Sequence, residues 1–151
     1  MKRILKLSLL LLTMIMLVNF VACSSFNKVK SALEDAGYAV VENEENSVSK
    51  EAEEDERVTN IHIFTNAQSL TGFDALNTTI VVVIEFKETK ELVEYFQESN
   101  ILQGIVADIK EEGTTDEIYA ELKAAGLAYK NCLIAPMGLD AGNVLNIIKK
   151  L

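Results

Sequence analysis

The sequence predicts an α+β protein: a two-layer sandwich in which a mostly antiparallel sheet of about four strands carries helices on one face. Three observations predict it. Strand-like stretches at 38–42, 58–65 and 78–86 follow one another with no crossover helix between them, which favours antiparallel pairing. The stretch "TTIVVVIEF" at 78–86 is β-branched and apolar at successive positions, as a central strand requires. The remaining apolar residues recur three and four apart, the spacing of helices with one buried side.

Length and charge bound the rest. The chain has 151 residues, enough for one domain. Its net charge is −9, from 14 basic and 23 acidic residues. Lys2, Arg3 and Lys6 stand in the first 22 residues and no acid does, so the balance of residues 23–151 is −12. So acidic a surface repels nucleic-acid phosphates, and no nucleic-acid partner is expected.

The opening segment is the most specific part of the sequence. "MKRILK" is a short positive start. Residues 7–18 are apolar apart from Ser8 and Thr13, a run shorter than the roughly 18–20 residues that span a hydrocarbon core. A signal peptide over 1–22 fits that length. The run ends in Phe20-Val21-Ala22-Cys23, which resembles the lipobox of bacterial lipoproteins. There an apolar residue stands three before the cysteine and a small one directly before it; Phe20 replaces the usual Leu. The resemblance implies a diacylglyceryl group on the Cys23 sulfur and cleavage between Ala22 and Cys23 by a lipoprotein signal peptidase. Thiolate nucleophilicity suits the alkylation. Two acyl chains on one glyceryl unit give a stable anchor, where one holds weakly. The partners implied are the membrane, through the anchor, and the processing enzymes. The place implied is the extracytoplasmic face of the cell membrane. An ordinary signal peptide cut nearby and an uncleaved anchor are the alternatives. Ser24 after the cysteine is also compatible with outer-membrane sorting, which leaves the envelope type open.

Residues 23–25 then form a minimal tether, and 26–151 a single α+β domain. Phe26, Val29, Leu33 and Ala36 share one helical face, with Ser25 as the expected cap and Gly37 just past the end. "YAVVE" reads as a strand. Residues 43–57, "NEENSVSKEAEEDER", are crowded with acids and relieved by Lys50 and Arg57, so a mobile, solvated acidic loop is expected. It lacks the turn glycine of a calcium loop. "VTNIHIFT" alternates as a strand. After 78–86, "ETKELVEYFQES" is helical with Leu92, Val93 and Phe96 inward. A second helical stretch carries Ile101, Ile105 and Ile109 and is weakened by Gly104. Thr114 and Glu117 have capping-box spacing and open a third, which Gly126 stops. "AYKNCLIAP" reads as the last strand, ended by Pro136. Asp140 is the expected cap of a final helix with Val144, Leu145, Ile148 and Leu151 on its apolar side, and Lys149 and Lys150 complement its C-terminal dipole.

Chemistry is sparse. His62 is the one histidine, and a metal site needs further ligands that converge on it. Cys132, left without a partner once Cys23 is lipidated, reads as a buried, unreactive thiol. A Cys132–His62 nucleophile and base lacks any local support. "PMGLDAGN" at 136–143 lacks the lysine and spacing of a phosphate loop and reads as a turn. "TNAQSLTGFDALNTT" is a polar loop long enough to bind a ligand. No catalytic, metal or cofactor site is assigned. The domain resembles small uncharacterised lipoproteins of Gram-positive bacteria in its element order, and that likeness carries over no functional residue. The function expected is a lipid-anchored, non-catalytic binding or accessory module. The alternatives are a cell-envelope enzyme that uses cleft carboxylates, and a structural surface lipoprotein.

Overall fold

The computed structural model describes residues 25–41, 46–66, 78–106, 109 and 113–151. The first helix, α1, covers residues 25–35. Ser25 is already helical, so it does not act as the cap that the sequence suggested. Val29 and Leu33, one turn apart, are fully buried. The helix stops at Gly37, whose φ of 90° suits a residue without Cβ, while Tyr38 N–H reaches back to the Leu33 carbonyl at 3.0 Å.

Strand β1 (Ala39–Val40) follows, and then the largest departure from expectation. The acidic stretch expected as a mobile loop over 43–57 contains a helix, α2 (Ser47–Glu53). Residues 42–45 lie outside the described residues. Asn46 accepts from Ser49 N–H and donates its own N–H to the Ser49 hydroxyl, both at 3.0 Å, which closes a reciprocal cap. Val48 and Ala52, four apart, are fully buried and hold the helix to the sheet. Composition suggested disorder; two apolar residues at helical spacing and a cap outweigh it. Beyond α2, Arg57 bonds Asp55 at 2.6 Å and Glu98 at 2.7 Å. The guanidinium holds the Asp55 carboxyl below its usual range.

Strand β2 (Val58–Thr65) has the expected bounds but not strict alternation. Its pairing with β3 (Ile80–Phe86) slips between Val58 and Asn60. That bulge turns Val58 to the side of Ile61, away from Phe64. After β3 come α3 (Thr89–Glu98), α4 (Asn100–Ile105) and α5 (Thr115–Ala125). Both predicted signals of α5 are present: Thr114 and Glu117 cap each other, and Gly126 turns the chain at φ 83°. No side chain fits at Gly126, where a Cβ would lie 2.3 Å from the Leu145 carbonyl oxygen.

"AYKNCLIAP" is a hairpin rather than one strand. β4 (Ala128–Tyr129) turns through Lys130, at φ 52°, into β5 (Cys132–Met137). Asn131 locks the turn by donating to the Phe86 carbonyl at 2.7 Å. β5 runs one residue past Pro136, which pairs with Val81. Ile134 N–H donates to Leu127 on the β4 side. Pro136, two residues on, turns its nitrogen to that same side, where β4 has ended, so no ladder bond is lost. The chain closes with α6 (Ala141–Ile148).

The five strands form one antiparallel sheet in the order β1-β2-β3-β5-β4, one strand more than the four or so expected. Helices lie on both faces rather than one. Val82, Ile84 and Phe86 face α2, α3, α4 and α5, with Leu92, Phe96, Ile118 and Leu122 above them. Val81 and Val83 face α1 and α6, with Val29, Leu33, Val144 and Ile148. The reason is in β3 itself: every residue from Val81 to Phe86 is buried, so each face needs a cover.

Two substitutions test α2. Asn46→Ala removes the cap and should cost about 1 kcal/mol. Val48→Asp should cost more than about 3 kcal/mol, because it buries an unpaired charge. Urea denaturation reads both, and a mobile loop at 47–53 would leave both near zero.

Candidate functional site

A broad concavity lies where β4 stops short. With the sheet edge open beyond Leu127, the helices on either side approach without meeting. They leave a groove of about 820 Å³ between α4, α5 and α6. Its floor is Leu127, Pro136 and Met137, and one wall is Ala141 and Leu145 of α6. Facing them are Ile105, Ala124 and Ala125. Small side chains make the space: Ala124 and Ala125 on one helix face Ala141 on the other. The lining is apolar apart from Glu121 on α5 and Lys149 after α6. A volume in the range of small-molecule and side-chain pockets, with few polar groups, suits an apolar ligand. Ile105 is 41 % exposed at its mouth.

The second cluster is polar and lies on the α1 side of the sheet. His62 Nε2 stands 2.8 Å from Glu85 Oε1. The Glu85 side chain is 8 % exposed, and the imidazole is the group that compensates it. Phe26 stacks on the other face of the imidazole, with ring centroids 3.7 Å apart. Cys132 lies directly opposite Glu85 in the β3–β5 register. The three chemically capable residues therefore share one face, in the order thiol, carboxylate, imidazole.

That order opposes nucleophilic catalysis. A thiol needs the imidazole next to it. Here β3 lies between β5 and β2, which puts the Cys132 and His62 backbones roughly 10 Å apart at about 4.8 Å per strand. Cys132 is fully buried, and burial pushes its thiol up to about 12, with the charge of Glu85 adding to the effect. The sequence expectation of a buried, unreactive thiol agrees with this. His62 is engaged too, by a carboxylate that its own strand does not reveal. The signal for it was one glutamate inside an otherwise apolar strand.

A polar chain ties the opposite end of the sheet. Tyr38 OH donates to Asp140 Oδ2 at 2.7 Å. Asp140 N–H donates to Thr79 Oγ1 at 3.0 Å, and Thr79 N–H to Asn66 Oδ1 at 2.8 Å. Asp140 stands at the N-cap position just before α6 as expected, but its carboxylate serves Tyr38 instead of capping the helix. Burial and this bond raise the Tyr38 phenol above the ordinary tyrosine range. "PMGLDAGN" is thus a turn, with Gly138 at φ 120° against the Thr78 carbonyl.

Ala22, Cys23 and the "TNAQSLTGFDALNTT" residues 67–77 lie outside the described residues. Among the described residues no group of three or more His, Cys, Asp or Glu is placed to hold a metal ion. Among the same residues, no helix is long and apolar enough to cross a membrane.

Two measurements follow from this geometry. The folded chain keeps the Cys132 proton above pH 9, where the unfolded chain releases it. Stability should therefore fall as pH rises from about 9 towards 12, by up to about 1.4 kcal/mol per pH unit. Cys132→Ala should flatten the profile between about pH 9 and 10, below the range in which the raised tyrosine phenols add their own slope, and the native thiol should stay silent to Ellman's reagent until urea unfolds the chain. Separately, Tyr95 is 3 % exposed and its hydroxyl finds no partner among the described residues. Tyr95→Phe should leave stability unchanged or raise it by about 1 kcal/mol in thermal denaturation.

No protein-family model, curated protein or solved structure matches the chain.

Proposed function

We propose that the chain is a lipoprotein, held by acylated Cys23 at the extracytoplasmic face of the cell membrane, and that it acts as a binding module. The groove beside β5 is its site. That groove is the observation that carries the reading: an open, apolar slot of about 820 Å³ whose walls offer burial rather than reacting groups. An acid–base pair of carboxylates needs two, and among the described lining residues Glu121 is the one carboxylate. The best nucleophile and the histidine are both engaged elsewhere, Cys132 in the core and His62 with Glu85. These placements favour binding over the enzymatic alternative.

The anchor rests on the order of positive start, short apolar run and Ala22-Cys23. The first described helix begins by Ser25, close enough for an acylated Cys23 to hold the domain at the headgroups.

The groove is tested with the uncharged fluorophore N-phenyl-1-naphthylamine. Its emission should rise saturably on adding the protein, and Ala141→Trp, which fills the slot, should abolish the rise. Unchanged emission with the parent protein would overturn the site. The anchor is tested by mass spectrometry of the mature N-terminus. The account expects a diacylated Cys23 that is absent from Cys23→Ala, and an unmodified terminus contradicts it.

A further inference from the structure

The two helical layers differ in charge. The helices α2, α3 and α5 hold eight acids against three lysines. On the other face, Lys28 and Lys30 balance Glu34 and Asp35 on α1. α6 has no acid and ends in Lys149 and Lys150, both exposed. The α1/α6 layer is thus close to neutral, with Asp140 set against Lys149 and Lys150, while the opposite layer is strongly acidic.

Most of the large exposed apolar residues described fall on that same side, Ile105 of α4 being the exception. Of the four large ones exposed among the described residues, Leu139, 80 % exposed, precedes α6, and Leu151, at 42 %, follows it. Val40 is a third, at 43 %. It pairs across β1–β2 with Phe64, whose side chain lies in the α1/α6 core, and directly paired residues point to one face. Lysines interspersed with exposed leucines make a surface that suits anionic headgroups over acyl chains.

The anchor sits on this layer as well. Cys23 is two residues before Ser25, a reach of at most about 7 Å. Val29 and Leu33 are fully buried, so α1 is fixed to the sheet and does not swing away from it. Lys28 follows Ser25 by one helical turn, so a headgroup at the anchor lies within about one to two Debye lengths (about 8 Å each at physiological salt) of it, and the attraction is only partly screened. The acidic layer lies one sheet and one helix further out, roughly 20 Å, beyond two Debye lengths.

We infer that the α1/α6 face lies flat on an anionic phospholipid bilayer, with Lys28, Lys149 and Lys150 on the headgroups and Leu139 and Leu151 at the acyl boundary. The acidic helices α2, α3 and α5 then face away from the membrane. This inference rests on the proposed Cys23 anchor and adds to it a fixed orientation.

The test uses the full chain, processed and lipidated in its host and reconstituted into vesicles of phosphatidylglycerol with phosphatidylcholine. A bimane label goes on Leu139→Cys or on Glu117→Cys of α5; buried Cys132 does not compete for it. Nitroxide lipids should quench the Leu139→Cys label and leave the Glu117→Cys label bright. The triple variant Lys28→Glu, Lys149→Glu, Lys150→Glu should lose the difference, as should vesicles of phosphatidylcholine alone. Equal quenching at the two positions overturns the orientation, and so does stronger quenching at Glu117→Cys. A Leu139→Cys label shielded from aqueous iodide yet untouched by nitroxide lipid overturns it too, in favour of a protein on that face. The mass of the N-terminal peptide from the same sample separates the two readings. A lipidated Cys23 with a negative quenching result overturns the orientation alone, and an unmodified Cys23 overturns the anchor and the orientation together.

Discussion

The burial of β3 on both faces is the constraint on which the rest of the structure depends. Six successive residues, Val81 to Phe86, are apolar or paired and out of water. Each of the five apolar side chains is worth about 1.5–3 kcal/mol when fully buried, so neither face can be left open. The odd positions draw α1 and α6; the even ones draw the remaining four helices. Glu85 is the exception on the odd side, and His62 and Phe26 are the local answer to it. A carboxylate in that place is tolerable because an imidazole from β2 meets it and an aromatic ring from α1 covers the imidazole.

Two-sided cover has consequences for function. Two helical layers can carry different surfaces, and here they carry different charge. The groove has the same origin. β4 is two residues long, so beyond it the two layers face each other across the open edge of β5, and alanines there leave the gap unfilled. A longer β4 or larger residues at 124, 125 and 141 would have closed the slot. Cys132 and His62 are by contrast engaged within the sheet, the thiol in the core and the imidazole with Glu85.

Much of this was legible in the residues. Local signals read well: Thr114, Glu117 and Gly126 bound α5, Gly37 ended α1, and the alternation of "VTNIHIFT" gave β2 its limits. The central place of β3 was readable from its composition. What was not legible depended on distant partners. Fifteen mostly polar residues at 43–57 looked unable to order, yet Val48 and Ala52 sufficed once a sheet lay beneath them. The Lys130 turn was hidden because lysine is an unusual residue at positive φ. The second helical layer could have been inferred from β3, since a strand apolar on both faces needs cover twice. The groove could not, because it is the space left between elements far apart in the chain. The proposed anchor stands apart from all of this, because it rests on a pattern of adjacent residues and not on distant partners.

The most direct test of two-sided burial places a charge on each face of β3 in turn. Val82→Asp points at the four-helix layer and Val83→Asp at α1 and α6. In urea denaturation both should lose at least about 3 kcal/mol, since each buries an unpaired carboxylate. If either variant stayed within about 0.5 kcal/mol of the parent, as solvent-facing substitutions do, that face would be open and the account of the fold would be wrong.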